Sequence, residues 1–359
     1  MYIAQLYLQN YRNFPGLELD FLREGALIHG NNGIGKTNLL EAIAFFSFGK
    51  SFRTRSDQDL IRFGEEYLHL RGIYHKQENI YKFNCGIDKT TKKISLDQVQ
   101  INRVSELYNY IKTVYFSPQD SDIISGFPVN RRSFIDQAIS QYSIGYLEDL
   151  RRYFRILKQR NYLLKDRFDP SEKKAWDEQL ADSGSKIICS RLEYLNEFIP
   201  LLNKYYNIIT SHKENLDLSY SPSFNRTSAE SDIEQIKTDM MAHLRKTEIQ
   251  EINLQRTLTG PHLDDMEFII DKQTAKNYAS QGQKRSIAIA ARLVQSSLIS
   301  SKEQDTPLLM FDDVLADLDQ VRTSAVISLL TDDHQIFIAT PNEKLYSNIK
   351  LPRINLGTS

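Results

Sequence analysis

The stretch "ALIHGNNGIGKTNLLEAI", residues 26–43, decides how this chain is read. Within it, Gly30-Asn31-Asn32-Gly33-Ile34-Gly35-Lys36-Thr37 fits the pattern G-x-x-x-x-G-K-[ST], after a strand-like run and at the opening of a helix-like one. Each position has a physical reason. Glycines let backbone N–H groups turn inward around phosphates with no Cβ in the way. Lys36 brings a point charge to the β and γ phosphates, Thr37 a hydroxyl to Mg²⁺, and the helix N-terminus its dipole. The pattern predicts a bound nucleotide.

A second stretch, "PLLMFDDVLADLD" at 307–319, places four apolar residues before Asp312 and Asp313. A buried parallel strand ending in an acid presents it at the carboxyl edge of the sheet, where open α/β folds hold their ligands. Asp312 is the expected Mg²⁺ partner, and Asp313 the group expected to orient or deprotonate an attacking water. Without the cradle, two idle acids at a solvated strand end would be the plainer account.

Bulk composition narrows the class. The chain has 359 residues, 41% hydrophobic and 25% charged, with formal charge −1, so a nucleic-acid site has to be a local patch. Its two cysteines, Cys85 and Cys189, have no metal-ligand spacing and suit a reducing cytosol. The start "MYIAQLYLQNYRNF" is no secretory signal, and no apolar run approaches the ~18 residues of a membrane span. A soluble intracellular protein is expected.

Along the chain, "YIAQLYL", "LELDF" and "ALIHG" look like strands, with helical spacing from Thr37 to Phe48. "YLHLRGIY", "NIYKFNCGI" and "KKISLDQVQI" read as three more strands, forming an antiparallel layer on the nucleotide-binding sheet. From Asn130 to about Phe198 the pattern is helical, "LDLSYSPS" is a returning strand, and Ile233 to Leu254 is a helix. "PLLMFDD" and "QIFIAT" are buried strands. The expectation is an α/β domain built from residues 1–129 and 256–359, with a mainly helical domain inserted at 130–255.

"TAKNYASQGQKRSIAIAARL", residues 274–293, has no obvious strand before it and helical spacing after it. Ser280-Gln281-Gly282-Gln283 reads either as a plain helix cap or as a helix start aimed at a phosphate. This order of motifs resembles the ABC-type ATPases. In that group Ser280 to Gln283 correspond to the signature that meets the γ-phosphate held by a partner domain, and Asp319 to the loop that crosses the dimer seam.

Among such proteins, SMC-type heads need far longer heptad-patterned inserts than this one. Seven blocks instead resemble the RecF family of bacterial DNA replication and repair proteins. They are "LYLQNYRNF", "GNNGIGKTNLLEAI", "GKSFRTRSDQDLIRFG", "YFSPQDSDIISGFPVNRRSFID", "TLTGPHLDDMEFIID", "ASQGQKRSIAIAARL" and "LLMFDDVLADLD", spread over nearly the whole chain. The resemblance implies an ABC-type P-loop ATPase head, a mixed sheet plus an antiparallel β layer, with a helical insert. It implies ATP and Mg²⁺, and an ATP-driven homodimer on gapped DNA that hydrolyses slowly. It also implies work with RecO and RecR proteins to load RecA, bacterial cytoplasmic location and a part in the SOS response. The rival reading is an SMC-like DNA scaffold whose nucleotide is structural. A nuclease using His262, Asp264 and Asp265 is a third.

Two positions depart from the family's pattern, and a third, in keeping with the family, departs from the transporter-type ATPases. Pro118-Gln119-Asp120 replaces Pro-Glu-Asp, leaving open whether Gln119 or Asp120 serves the metal or the water. Leu263 replaces an arginine, removing an expected ion-pair partner of the neighbouring aspartates. "FIAT" ends in Thr340 where transporter-type ATPases carry a histidine, in keeping with slow turnover.

For DNA, the stretch 151–167 holds seven Lys or Arg and one acid. At 100° per residue Arg151, Arg155, Lys158 and Lys165 share an arc of about 80°. Leu150, Tyr153, Phe154, Leu157 and Leu164 share an adjacent arc, predicted to pack inward. Arg131 and Arg132 form a second candidate, whereas Arg53 and Arg55 are placed to meet the nucleotide. No base-reading motif is visible, so charge and DNA structure are the expected determinants.

Overall fold

Period-two burial shapes the first third of the chain, and apolar runs bounded by turns shape the last. The computed structural model describes residues 1–54, 56–165, 169–211, 214–227, 232–315, 318–330, 333–346 and 349–358. They form two units, Met1–Asp120 with Ile289–Ser359, and Ser121–Ala288.

The first unit begins with β1 (Tyr2–Tyr11), β2 (Phe14–Asp20), β3 (Gly25–His29) and helix α1 (Lys36–Phe48). There follow β4 (Tyr67–Lys76), β5 (Asn79–Asp88), β6 (Lys92–Leu96), β7 (Val99–Ile101) and β8 (Thr113–Phe116). The second unit holds α2 (Asp122–Ser125), α3 (Pro128–Ser140), α4 (Ile144–Leu163), α5 (Pro170–Thr210), β9 (Leu216–Ser221), α6 (Ile233–Leu254), β10 (Asp265–Ile270), β11 (Gln273–Thr274) and α7 (Ala275–Tyr278). The division between the units falls inside α8 (Gln281–Glu303), after which come β12 (Leu308–Asp312), α9 (Gln320–Ser328), β13 (Ile336–Thr340) and β14 (Arg353–Asn355).

In the first unit one sheet is antiparallel, in the order β2-β1-β4-β5-β6-β7, and the other parallel, β14-β3-β13-β12-β8. Helix α1 is buried on every side, from Leu39 to Phe48, because residues of both sheets share one core with it. That explains why its sequence, "KTNLLEAIAFFSF", shows apolar residues all round. β12 and β13 are continuous apolar runs for the same reason, being covered on both faces.

"KKISLDQVQI" is two strands rather than the single run expected. Asp97 and Gln98 adopt left-handed φ of 46° and 72°, and Leu96 pairs with Val99 across them. Two successive positive φ values make a tight hairpin turn without glycine, which leaves no composition signal. β8 and β14 also lie outside the strands singled out from sequence.

The second unit takes in more than the helices expected at 130–255: it extends through 256–288, because β10 pairs along β9 from Asp265↔Ser221 to Ile270↔Leu216. The stretch before Thr274 is therefore strand, contrary to the sequence expectation. Its core is partly ionic. Arg160 is fully buried and donates to Asp177 (2.7 Å) and Glu251 (2.5 Å), while Arg191 donates to Asp136 (2.9 Å) and to the carbonyl of Pro261 (2.8 Å). Among the described residues no helix is long and apolar enough to cross a membrane.

Candidate functional site

The cradle follows β3 directly, and α1 opens at Lys36. Gly33 has φ 82° with open space where a Cβ would stand. Gly35 has φ 112°, and a Cβ there would lie 2.6 Å from Asn13 Nδ2. An alanine at Gly35 would therefore meet both strain and collision. Asn31, Asn32 and Gly33 are exposed and Ile34 is half-buried, so the loop is open to a ligand from outside. Lys36 arches back over it, donating to the carbonyls of Gly30 (2.8 Å) and Asn31 (2.9 Å). Burial lowers the pKa of its ammonium, against the pull of Asp313 and Asp312 in the other direction. A triphosphate would strengthen that cationic form and take over its donors.

Thr37 Oγ1 donates to Asp312 Oδ1 at 2.9 Å, joining the loop motif to the acidic strand end across 275 positions. The other oxygen, Oδ2, accepts from the Tyr115 hydroxyl at 2.6 Å. Burial first, then the Asp312 carboxylate, raises the Tyr115 pKa, so the phenol stays a donor. A hydroxyl and a carboxylate meeting at the mouth of the loop are the donor set a small, hard cation takes, with water completing its shell. The residues present fit Mg²⁺.

Asp313 leaves the end of β12 with φ 55°, its N–H donating to Ala339 O at 2.9 Å. Aspartate tolerates that left-handed conformation better than most side chains. Thr340, at the end of β13, is fully buried and binds locally to Asn342. The Pro118-Gln119-Asp120 turn follows β8, which pairs in parallel with β12. Asp120 is buried and its carboxylate accepts from the Ser117 N–H (2.9 Å) and from Arg292 (2.7 Å). Gln119 is exposed. Of the two residues left open by the sequence, Asp120 is engaged in the framework and Gln119 is exposed.

A supporting network was missed in the sequence. Arg12 makes a two-pronged pair with Glu41 (2.9 Å for each prong), and Ser51 also donates to that buried carboxylate. Asn13 Nδ2 donates to Ile34 O at 2.8 Å while its Oδ1 accepts from Asn38 Nδ2, also at 2.8 Å. Arg53 donates to Asn38 at 2.7 Å, which sets it beside the cradle helix; Arg55 lies outside the described residues. The polar pair Asn13 and Asn38, flanking the loop motif in "NYRNF" and "GKTNLL", was the only available signal.

Ser280 to Gln283 belong to the second unit. Gln283 N–H donates to Ser280 Oγ (3.2 Å) and Ser280 N–H to Gln283 Oε1 (2.7 Å), a reciprocal capping box at the start of α8. The cap reading is thus realised in the structure. It is compatible with anion binding, since Ser280 accepts in the cap and keeps its O–H to donate. The N–H groups of Gln281 and Gly282 stand in the helix's first turn, where the helix itself supplies no carbonyl partner. Asp319 is exposed and caps α9 by accepting from the Arg322 N–H at 2.9 Å.

The basic candidates separate by burial. Arg151, Arg155 and Lys158 are exposed on α4, and Lys165 is exposed just beyond it. Phe154, expected to pack, is 48% exposed. Arg131 is a correction: it is buried, and donates to both carboxylate oxygens of Asp265 at 2.7 and 2.9 Å. Arg132 is held by Asp264 O at 2.8 Å. Arg131 is therefore committed to the Asp265 carboxylate inside the unit, whereas Arg132 is half-buried with one donor on a backbone carbonyl. Asp264 itself is buried, accepting from Ser223 N–H and the Tyr220 hydroxyl. His262 shares a 2.6 Å hydrogen bond with Tyr153, and burial lowers its pKa to about 4. His262 and Asp264 are thus both engaged inside the unit, and among the described residues no group of three or more His, Cys, Asp or Glu is placed to hold a metal.

Comparison with known proteins fits this geometry. Residues 2–354 match the family model described as "RecF/RecN/SMC N terminal domain". A relative from Staphylococcus carnosus (strain TM300), named "DNA replication and repair protein RecF", is 34% identical, with 99% of each chain covered. A solved structure titled "Structure of the recombination mediator protein RecF-ATPrS in RecFOR pathway" superposes with TM-score 0.89 at 30% identity, covering 99% of this chain and 96% of that one. An Smc head bound to the C-winged helix domain of ScpA shares the fold, with TM-score 0.60 at 15% identity over 99% of this chain and 94% of that one. With an ABC-type ATPase head, its cradle and acidic strand end in register, and likeness along the full length, the chain belongs to the RecF family of DNA replication and repair proteins.

Proposed function

We propose that the chain is an ATP-driven switch that closes as a homodimer on gapped DNA and opens by slow hydrolysis, acting with RecO and RecR to load RecA. The observation that carries this reading is the 2.9 Å contact of Thr37 with Asp312 beneath the Lys36 ammonium, a prepared seat for a metal-bound triphosphate.

In this reading Gly30 to Gly35 cradle the phosphates with backbone N–H groups, and Lys36 neutralises the β and γ oxygens. Thr37, Asp312 and Gln119 would hold Mg²⁺, which when bound offsets charge on the phosphates. Asp313 accepts the proton of a water as its oxygen bonds to the γ-phosphorus and the bond to the ADP oxygen breaks. Lys36 then balances the charge left on ADP.

Ser280, Gln281, Gly282 and Gln283 supply the second half, closing on the γ-phosphate of a partner copy, with Asp319 at the seam. ATP binds such a composite site better than either half, and that difference drives dimerisation. The capped N-terminus of α8 supports this, since it holds its donors ready without reorganisation. The exposed basic residues of α4 meet DNA phosphates.

The test is Ser280→Arg. Monomer affinity for ATP should stay within about twofold, since the seat on that chain is untouched, while ATP-induced dimers measured by light scattering should disappear. Dimers forming as in the parent protein would refute the shared site. A smaller effect is expected at Asn13→Ala, which removes the hydrogen bond to Ile34 O. One such bond contributes ~1 kcal/mol, so ATP affinity measured by calorimetry should weaken about fivefold with the melting temperature little changed. Phosphate release with and without DNA separates the switch from a scaffold with structural nucleotide, which would release none.

A further inference from the structure

The outward face of α4 carries more than charge. With Arg151 at 0° on the helical wheel, Tyr153, Ile156, Leu157 and Arg160 lie between about 140° and 240°. All four are buried. Directly opposite, between about 300° and 40°, stand Arg151, Phe154, Arg155, Lys158 and Tyr162. Phe154 is 48% and Tyr162 72% exposed, although a helix on this surface has no packing need for aromatic rings on its outer side. The next basic residue, Lys165, is exposed beyond the helix end. No acid interrupts the face from Arg151 to Lys165; Glu148 stands one turn before it.

The geometry points to this face as a binding platform for the unpaired strand of the DNA, with Phe154 and Tyr162 stacking on bases while the arginines and lysines track phosphates. The inference rests on the DNA-binding reading above and names the strand that α4 takes. Cations alone would suit duplex or single strand equally. Exposed rings do not, because a duplex keeps its base faces inside the stack and offers only sugar and phosphate to a ring outside it. The two rings are eight residues apart, about 12 Å along the helix, the span of three or four stacked nucleotides at ~3.4 Å each. In a chain of net charge −1, four cations within a stretch, 151–165, that holds no Asp or Glu also favour a polyanion over a neutral partner.

The test uses the full-length protein, a labelled oligothymidylate carrying one 2-aminopurine, and a duplex of equal length. With Phe154→Ala and Tyr162→Ala combined, affinity for the single strand should fall at least tenfold, with duplex affinity within twofold. Quenching of 2-aminopurine on binding should be lost with it, and aromatic variants at the same positions (Phe154→Trp, Tyr162→Trp) should keep both. Both rings are solvent-facing, so the melting temperature serves as the control for folding. Equal losses for single strand and duplex, or no loss, would overturn the stacking platform. Charge reversal at Arg155 and Lys158 then tells the two failures apart. If it weakens both DNAs while the aromatic variants do nothing, α4 binds DNA without stacking. If it changes neither, α4 is no DNA contact, and an acidic protein segment is left as the occupant of this face.

Discussion

Titrated with Mg·ATP, the Lys36→Ala protein is expected to show at least a hundredfold loss of affinity, with no saturation at nucleotide levels that fill the parent protein. Lys36 reaches over the loop, and its ammonium now rests on two loop carbonyls. Those carbonyls are neutral. A triphosphate offers formal negative charge at the same reach, and charge-assisted hydrogen bonds contribute ~1.5–3 kcal/mol each. Losing two of them accounts for the expected factor. The fold should survive, since the carbonyls that Lys36 releases lie on a loop open to water, and an unchanged far-UV spectrum checks that. A parent-like isotherm would mean that the nucleotide, if bound, sits elsewhere.

Asp313→Asn should separate binding from turnover. Asparagine adopts the left-handed φ of 55° as readily as aspartate and keeps the backbone bond to Ala339 O, so the strand end stays in place. It cannot accept a proton from water. General-base contributions run to about 10²–10⁴-fold, so phosphate release should drop at least a hundredfold while ATP affinity holds within a fewfold. With opening tied to hydrolysis, ATP-induced dimers should persist for hours in light scattering where those of the parent protein decay. Ordinary turnover in this variant would take the catalytic role away from Asp313 and leave the positioning of the water to other groups, among them the exposed Gln119 after β8.

The Asp120 pairing explains why a glutamine is tolerated in the Pro-Gln-Asp turn. Asp120 anchors the turn to Arg292 on α8, so the turn's shape is independent of the residue at 119. The ionic core of the second unit works similarly: Arg131 and Arg191 take up Asp265 and Asp136, and the charge expected on the surface at Arg131 is spent inside. Breaking such a buried pair by removing one partner costs more than the pair contributes, which is why these residues belong to stability rather than to DNA.

What the sequence alone determined is whatever depends on neighbours along the chain. The cradle is contiguous, so Gly30 to Thr37 could be read in one window; so could the apolar run ending at Asp312, the capping box of Ser280 and Gln283, and the helix Ile233–Leu254. Tertiary structure decided whatever joins distant segments: Tyr115 on Asp312 across 197 positions, Asp120 on Arg292 across 172, Arg131 on Asp265 across 134. It also decided which basic and aromatic side chains of α4 face water, because Phe154 sits at the margin of the apolar arc and only the neighbouring helices set where that margin falls. Local pattern reports the preferences of a few successive residues. Burial and pairing are properties of the packed whole, where a side chain's partner is fixed by the fold and not by its place in the chain.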